Sequence, residues 1–424
     1  MKITIHRANQ IGGCITEIQS GNNRIIIDFG CNLPGSTELE FSDEKIRNIT
    51  ENADVVLYTH YHGDHIGLFS KVAEGVVQYI GEGALKVLKC KYENLQNAAD
   101  SILGKGDAEK AAKLNQEKEL EILEKMKTFN AEKALPLGEI TVTPYFCSHS
   151  AYDAYMFLIE CEGKKILHTG DFREHGYLGK GLQQVITKKI GQVDVLIIEG
   201  TMIGRNTEKV QHEVHIKSKI KNLLAKGTKH LIALCSSTDI DRLASIHMAC
   251  KEQNAWLVCD KYQKQILDIF TERAGRYSDL FKFDRVKVLG EGDDFFNEIR
   301  NTGFVTLIRT SKYDFMKKFM HYFPDAELIY SMWHGYYDGT KEQINNKVLE
   351  LVKVFPKEKF HEIHTSGHAT IETLSKLITL TNPREAIIPI HRDCNSDLSL
   401  LQISGEQRSK IFYNYNSNDI ELSI

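Results

Sequence analysis

The stretch THYHGDHIG, from Thr59 to Gly67, carries the strongest chemical signal in the sequence, because it places three histidines and one aspartate within six residues. The apolar run DVVLY (Asp54–Tyr58) directly before it predicts a buried strand. Functional side chains are commonly placed on loops at the edge of a sheet, where a rigid strand fixes their position. We therefore expect these polar side chains to lie together at the end of a strand.

The spacing of the four residues suits metal binding. Side chains two apart in an extended chain point to the same side, so His60 and His62 can converge on one cation. A turn at Gly63 then lets Asp64 and His65 face a neighbouring point. Imidazole combined with carboxylate is the ligand chemistry of zinc, and also of manganese or iron.

Further ligands follow other strand-like runs. His149 lies in FCSHSAY, Asp171 in LHTGDFR and His391 in IPIHRD. Hydrolytic metal pairs lie roughly 3.5 to 4 Å apart and are best held with one bridging carboxylate. We predict a site for two divalent metal ions, with zinc favoured and manganese as the alternative. The expected ligands are His60, His62 and His149 for one ion, Asp64, His65 and His391 for the other, and Asp171 as the bridge.

The first half of the chain is dominated by short strand-like runs, many of which end in polar residues. These runs are KITIH, CITEI, RIIID, DVVLY, VVQYI, ITVTPY, AYMFLIE, KKILHT and VDVLIIE. The segment 92–129 interrupts them with helix-forming residues of mixed charge and a glycine break at Gly104–Gly106, which predicts a pair of helices. A solvated helical excursion is the favoured interpretation, and a role in holding substrate is the alternative.

The order of predicted strands and helices changes in the middle of the chain. From about Thr201 to Val354, strands such as HLIAL, AWLVC and AELIY alternate with helical runs, which is typical of a parallel α/β sheet. The tail then returns to strand-like runs with possible ligands. We predict a sheet domain in two parts, 1–200 and 355–424, with an α/β domain inserted at 201–354.

Composition narrows the class of protein. The chain has 424 residues and a net charge of −4, which argues against a nucleic-acid binder that relies on bulk positive charge but leaves room for a local basic groove. Nine cysteines without CxxC spacing, among them Cys147, Cys235 and Cys259 in apolar runs, indicate reduced buried thiols. With no apolar signal-peptide core and no apolar run of about 20 residues, we expect a cytoplasmic protein without a membrane partner.

The ordered set of ligands resembles the metallo-β-lactamase-fold superfamily. That resemblance implies an αββα sandwich with a dinuclear site on loops at the sheet edge. In this superfamily an aspartate at the end of an early strand supports the metal ligands, and Asp28 in RIIIDFG matches it. A carboxylate that orients a ligand histidine is a common feature of metal sites.

Three later motifs resemble the β-CASP branch of this superfamily. They are IEGT (Ile198–Thr201), TSGHA (Thr365–Ala369) and PIH (Pro389–His391), and LCSSTDIDRLASI resembles ribonuclease J-like enzymes. The resemblance implies an inserted α/β β-CASP domain and phosphodiester hydrolysis in RNA or DNA by a metal-bound hydroxide. It carries over Glu199, His368 and His391 for the three signatures. Nucleases of this branch commonly have Gly and Glu where Arg392 and Asp393 stand here.

The resemblance also gives roles to residues outside the ligand set. A protonated His368, held by Glu199, would donate a proton to the leaving oxygen, while the alternative is that both residues only bridge the two domains.

Four further residues are candidates for binding substrate phosphate. Ser236 and Ser237 could cap the following helix or bind phosphate at its N-terminus. His364 and Ser366 match a loop that contacts substrate phosphate in ribonuclease J-like enzymes.

We therefore expect a β-CASP-type metallohydrolase, favouring a ribonuclease that acts on single-stranded RNA over one that acts on DNA. A homo-oligomer is compatible with the sequence. The first alternative is a small-molecule hydrolase on the same scaffold that opens an ester, lactone or thioester. The second is an inactive nucleic-acid-binding subunit, although relatives of that kind usually lose metal ligands.

Overall fold

The β-strands form three sheets in the computed structural model, which describes residues 1–34, 36, 40–102, 107–205, 208–227, 229–290, 294–413 and 419–424. In chain order the strands are β1 (Lys2–His6), β2 (Ile15–Ser20), β3 (Asn23–Ile27), β4 (Val55–Leu57), β5 (Val77–Gly81), β6 (Lys127–Phe129), β7 (Leu135–Leu137), β8 (Ile140–Cys147), β9 (Ala154–Cys161), β10 (Lys164–His168), β11 (Val195–Glu199), β12 (His230–Cys235), β13 (Trp256–Cys259), β14 (Val286–Val288), β15 (Phe304–Ile308), β16 (Glu327–Ser331), β17 (Phe360–Glu362), β18 (Ala386–Ile390) and β19 (Ile420–Ser423).

The α-helices connect these strands. In chain order they are α1 (Asp43–Thr50), α2 (Gly63–Ile66), α3 (Glu82–Ile102), α4 (Asp107–Lys125), α5 (Leu182–Val185), α6 (Glu213–Ala225), α7 (Ile240–Glu252), α8 (Lys261–Arg273), α9 (Phe295–Thr302), α10 (Tyr313–Tyr322), α11 (Gly335–Asp338), α12 (Asn346–Val352), α13 (Ile371–Thr381) and α14 (Gly405–Ser409). No helix in the described ranges is both long enough and apolar enough to cross a bilayer.

The chain divides into two compact units. The first unit contains Met1–Glu174, Leu178–Glu208 and Gly367–Ile424, and the second contains His175–Tyr177 and Lys209–Ser366. The tail belongs to the first unit because β18 pairs with β11 and β19 pairs with β1. The boundaries expected after residues 200 and 354 stay a prediction.

Two sheets face each other in the first unit. One has the strand order β19-β1-β2-β3-β4-β5-β6 and the other the order β18-β11-β10-β9-β8-β7. A common core of branched and aromatic side chains lies between them, including Ile25 and Leu57 from the first sheet and Phe157, Ile197 and Ile388 from the second. Helix α3 contacts the first sheet and α13 the second, so the unit is an αββα sandwich.

The second unit contains a sheet in which every paired strand is parallel, with the order β14-β13-β15-β12-β16-β17. Its strands are rich in buried apolar residues on both faces, as parallel strands covered by helices on both sides require. One face carries Ile232 and Leu234 against the side chains of α9, α10 and α12. The expected α/β arrangement of this region is confirmed.

Each of the nine strand-like runs contains a strand, but the helical segment differs from its predicted limits. Helix α3 begins at Glu82, ten residues before the expected start at 92, and α4 ends at Lys125. Residues Lys127–Phe129, expected to be helical, form β6, because their backbone pairs with β5. The predicted glycine break at 104–106 lies outside the described residues. All nine cysteines are free, and Cys147, Cys235 and Cys259 are buried.

Candidate metal centre

Four strands of the second sheet deliver polar side chains to one edge. The strands β10, β11 and β18 are mutually parallel, and β8 runs in the same direction because β9 is antiparallel to both β8 and β10. The register aligns Glu199 with Ile390, the residue before His391. Glu199 is the last residue of β11, while His391, His149 and Asp171 follow the ends of β18, β8 and β10 by one, two and three residues.

The first sheet contributes from its own parallel pair. Asp28 follows β3, and Thr59 lies two residues after β4. The loop after β3 packs so tightly on α2, the short helix that carries two of the predicted ligands, that a Cβ at Gly30 would collide with the carbonyl of Asp64. Glycine is therefore required at position 30 for this close backbone approach.

His60, His62 and His149 form the first group of candidate ligands. Their ring nitrogens lie within 4.8 Å of one another, and the distance from His149 Nε2 to His62 Nδ1 is 3.2 Å. Burial lowers the pKa of His62 to about 4 and holds the pKa values of His60 and His149 well below their ordinary range. All three imidazoles are therefore neutral near pH 7, which is the form that binds a metal ion.

Asp64, His65, Asp171 and His391 form the second group. His65 Nε2 lies 3.1 Å from Asp171 Oδ2, and His391 Nε2 lies 3.1 Å from Asp64 Oδ2. The same Asp171 Oδ2 lies 3.8 Å from His149 Nε2 of the first group. The structure thus brings all seven predicted ligands together in the expected division, with Asp171 between the two groups.

The second group has an electrostatic imbalance that suits a cation. Burial alone would lower the pKa of His65, but the Cys14 sulfur and the nearby carboxylates raise it well above its ordinary value. Asp171 and Cys14 similarly overcome burial and raise the pKa of His391. Burial alone would raise the pKa of Asp171, but the neighbouring histidines hold it well below its usual range. Protons on the two imidazoles balance these carboxylates, and a bound divalent ion would replace those protons.

Two buried atoms test whether the donor set fits a metal. His60 Nε2 and Asp171 Oδ1 have no hydrogen-bond partner among the described residues, although both side chains are almost completely buried. Leaving a buried polar atom unpaired costs about 1–3 kcal/mol. Nitrogen and oxygen donors of this kind are suitable for zinc and manganese, so the residues fit a pair of divalent ions.

Glu199 and His368 lie beside the second group. His368 Nδ1 is 3.3 Å from Glu199 Oε2 and 3.6 Å from Asp171 Oδ2. Glu199 is held in turn by the backbone N–H groups of Thr201 and Ala369, which donate to its two carboxylate oxygens. The side chain of Glu199 is 1% exposed and that of His368 is 19% exposed, so the imidazole is the member of the pair that solvent reaches.

Hydrogen bonds orient the candidate ligands. Asp28 accepts from the Thr59 backbone N–H at 2.7 Å, and its Oδ2 lies 2.7 Å from His65 Nδ1. Thr201 Oγ1 lies 2.7 Å from His391 Nδ1, and the Gly367 carbonyl lies 2.7 Å from His149 Nδ1. In each histidine the other ring nitrogen is directed into the site.

Sequence reasoning assigned no supporting role to Thr59, Thr201, Gly367 or the nearby Cys14. The first three lie inside the motifs THYHGDHIG, IEGT and TSGHA, next to residues that the sequence predicts to be functional. That adjacency is the signal that could have identified them. Cys14 follows an ordinary glycine pair and carries no such signal.

After His391 this chain has Arg392 and Asp393 in place of the Gly and Glu that are common in the β-CASP branch, and Arg392 has a structural role. Arg392 is completely buried and donates from Nη2 to Asn9 Oδ1 at 2.6 Å and from Nη1 to the Asp393 carbonyl at 3.1 Å. These bonds tie the loop that follows the ligand to the loop after β1. His391 itself has a positive φ of 49°, which such fixed surroundings can maintain.

The four predicted phosphate contacts belong to the second unit. Asp239, not either serine, caps α7 by accepting from the Arg242 N–H at 3.2 Å, so of the two alternatives for Ser236 and Ser237 the helix cap is wrong. Ser236 Oγ instead accepts from the Thr238 N–H, because it precedes the cap by three residues. The remaining two, His364 and Ser366, lie after β17, where His364 Nδ1 contacts Arg242 and the Ser366 carbonyl accepts from His175.

Comparison with known proteins agrees with this architecture. Residues 23–248 match the family described as Beta-lactamase superfamily domain. The chain is similar to cleavage and polyadenylation specificity factor subunit 3 of Dictyostelium discoideum, at 24% identity over 54% of this chain and 29% of the relative. It is also similar to the RNase J-like protein of Methanocaldococcus jannaschii, at 29% identity over 45% of this chain and 40% of the relative.

One more curated relative and one solved structure are also similar to this chain. Endoribonuclease YSH1 of Mycosarcoma maydis is 26% identical over 53% of this chain and 25% of the relative. The alignments therefore span at most 40% of the length of these three relatives. The crystal structure of a protein of unknown function from Enterococcus faecalis V583 superposes with a TM-score of 0.69 at 17% identity and covers 99% of both chains, which shows a shared fold.

Proposed function

Because the chain belongs to the metallo-β-lactamase superfamily, we propose that it is a dinuclear metal-dependent hydrolase of the β-CASP type that cleaves phosphodiester bonds in single-stranded RNA. One observation carries the proposal: seven candidate ligands from separate strand ends meet in two adjoining groups beside a Glu199–His368 pair. The names of the three relatives, two of which contain ribonuclease terms, support RNA over DNA as the substrate.

The two ligand groups would hold one ion each, with zinc favoured and manganese as the alternative. His60, His62 and His149 would hold the first ion, while Asp64, His65 and His391 would hold the second and Asp171 would join them. When bound, such a pair of ions lowers the pKa of a coordinated water and neutralises charge on phosphate oxygens. Asp28 would fix the ring of His65 so that its Nε2 faces the second ion.

His368 would supply the proton that the leaving oxygen needs. Its Nδ1 lies 3.3 Å from the buried Glu199 carboxylate, which would hold the ring in position beside the ligand groups. The two backbone N–H donors keep Glu199 in place during that transfer. A general acid of this kind contributes typically 10²–10⁴-fold to the rate.

The proposed function also includes residues that contact the RNA and a location in the cell. Ser236, Ser237, His364 and Ser366 would contact the RNA phosphates. The buried free thiols suit the reducing cytoplasm, where we expect the protein to act.

The experiment that tests this function compares wild type and His368→Ala on a phosphodiester and on a carboxylic ester. The nuclease proposal predicts turnover of the phosphodiester that falls about 10²–10⁴-fold in the variant. His321→Ala is a matched control, because this histidine lies on α10, outside the ligand groups and the signature motifs. Turnover confined to the ester and insensitive to His368→Ala would refute the nuclease and favour a small-molecule hydrolase.

A further inference from the structure

A buried thiol lies beside the second ligand group and has no assigned role. The Cys14 sulfur and ring nitrogens of His65 and His391 lie within 4.8 Å of one another. Cys14 is only 9% exposed, and its sulfur is 3.9 Å from His65 Nε2. The same two histidines belong to the group that contains Asp64 and Asp171, so the sulfur faces the position that the second ion would take.

The backbone fixes the thiol in that place. The Cys14 N–H donates to the Asp64 carbonyl at 2.9 Å, and the Cys14 carbonyl accepts from the Gly30 N–H at 3.1 Å. Gly13 precedes it with a φ of +68°, and a Cβ there would lie 2.6 Å from Arg7 Nη1. The backbone of Cys14 is therefore anchored directly to α2, the helix that carries Asp64.

The sulfur–nitrogen distance allows a weak hydrogen bond between Cys14 and His65, and it also fits shared coordination of one ion. A Zn–S bond of about 2.3 Å and a Zn–N bond of about 2.0 Å at a tetrahedral angle place the two ligand atoms about 3.5 Å apart. The distance of 3.9 Å in the structure is close to that value. Asp171 belongs with His65 and His391 to the second group, and its buried Oδ1 has no hydrogen-bond partner in the described chain, so this oxygen is available to a cation at the same position.

We propose that Cys14 provides a thiolate ligand to the cation held by His65 and His391, an inference that rests on the proposed dinuclear site. On binding, the Cys14 thiol loses its proton to solvent as the sulfur–metal bond forms, and no electron is transferred. Because thiolate is a soft ligand, it biases this position toward zinc and away from manganese, which prefers oxygen donors. The site would then use a mixed sulfur, nitrogen and oxygen donor set.

The test uses cobalt(II) as a spectroscopic replacement for zinc in the 424-residue chain after removal of metal by chelation. Wild type should take up two cobalt ions per chain and show a near-ultraviolet sulfur-to-cobalt charge-transfer band. Cys14→Ser should retain visible cobalt bands but lose the charge-transfer band, and Cys14→Ala should do the same if the serine variant folds poorly. Cys31→Ser is the matched control, because Cys31 donates to the Gly63 carbonyl and lies in none of the ligand groups in the described chain.

A second readout separates the ligand from a packing role. Zinc affinity at one position should fall at least about tenfold in Cys14→Ser, while manganese affinity changes little. Cobalt uptake by wild type without a charge-transfer band, or a band that persists in Cys14→Ser, would overturn the Cys14 proposal and leave the dinuclear site standing. Failure of wild type to bind cobalt would overturn the dinuclear site and the thiolate ligand together.

Discussion

Replacing Asp28 with asparagine changes the electrostatics of the second ligand group with very little change in shape. Asp28 is completely buried, and its carboxylate receives the Thr59 N–H, the Thr59 hydroxyl and the ring N–H of His65. Its φ of 60° lies in the left-handed region, which asparagine tolerates about as well as aspartate does. An amide can offer its oxygen to one of these donors but must turn its own N–H₂ toward another.

The loss expected at His65 follows from that hydrogen bond. A hydrogen bond to a charged group contributes about 1.5–3 kcal/mol, and each 1.4 kcal/mol corresponds to a factor of ten in affinity. We therefore expect the affinity for the ion bound by His65 to fall about 10–100-fold, in line with the usual effect of outer partners of metal ligands. The group formed by His60, His62 and His149 reaches Asp28 only indirectly, through the Thr59 hydroxyl that lies 3.0 Å from His60 Nδ1, so the affinity for its ion should fall less.

Zinc titration against a fluorescent competing chelator measures both affinities in one experiment. The control Asp54→Asn makes the same chemical change at an exposed carboxylate that accepts from the Arg24 N–H, and it should leave both affinities unchanged. Thermal unfolding of the metal-free proteins verifies that the two variants are folded. Equal loss at both ions, or no loss in a folded Asp28→Asn protein, would refute the reasoning.

Two further predictions concern stability. Arg242→Met should destabilise the second unit by about 3–5 kcal/mol, because Arg242 and Glu213 are both 1% exposed and the change leaves the carboxylate buried without its countercharge. Both tryptophans, Trp256 and Trp333, lie in that unit, so their fluorescence reports its unfolding in urea. The control Arg276→Met removes an exposed ion pair and should lower the free energy of unfolding by at most about 1 kcal/mol. Equal losses of stability in the two variants would contradict this prediction. Burial alone would lower the pKa of His6, but its contacts with Asp419 and Glu17 raise that pKa above 6.5. The stabilisation that the protonated His6 provides is therefore fully present below pH 6.5 and is lost as the pH rises through the folded-state pKa. The difference in Tm between wild type and His6→Gln should therefore shrink from pH 6 to pH 9, and a difference that grows with pH would show the opposite sign.

The sequence predicted those parts of the structure that depend on local pattern. The motif at His60–His65 and the run before it placed ligands at a strand end, and β4 does end two residues before Thr59. Alternation of apolar runs with helical runs likewise predicted the parallel sheet of the second unit. Both signals arise from side-chain periodicity within a few residues.

Side-chain periodicity does not predict contacts between segments that are distant in the sequence. The three-residue strand β6 exists because its backbone pairs with β5, and its own composition resembles the helix before it. Asp239 rather than a serine caps α7 because the helix begins at Ile240, a boundary that local sequence leaves uncertain by several residues. Cys14 meets His391 only after strands nearly 380 residues apart have assembled around the same edge.

We propose that a pair of metal ions at these two groups makes the protein a ribonuclease. The direct test is a time course on 5′-monophosphorylated, internally labelled single-stranded RNA, with protein loaded separately with zinc and manganese and its metal content measured. Wild type containing two ions should degrade the RNA, whereas His65→Ala, which removes a ligand of the second group, should not. Intact RNA after incubation with wild type that holds two ions would contradict the account.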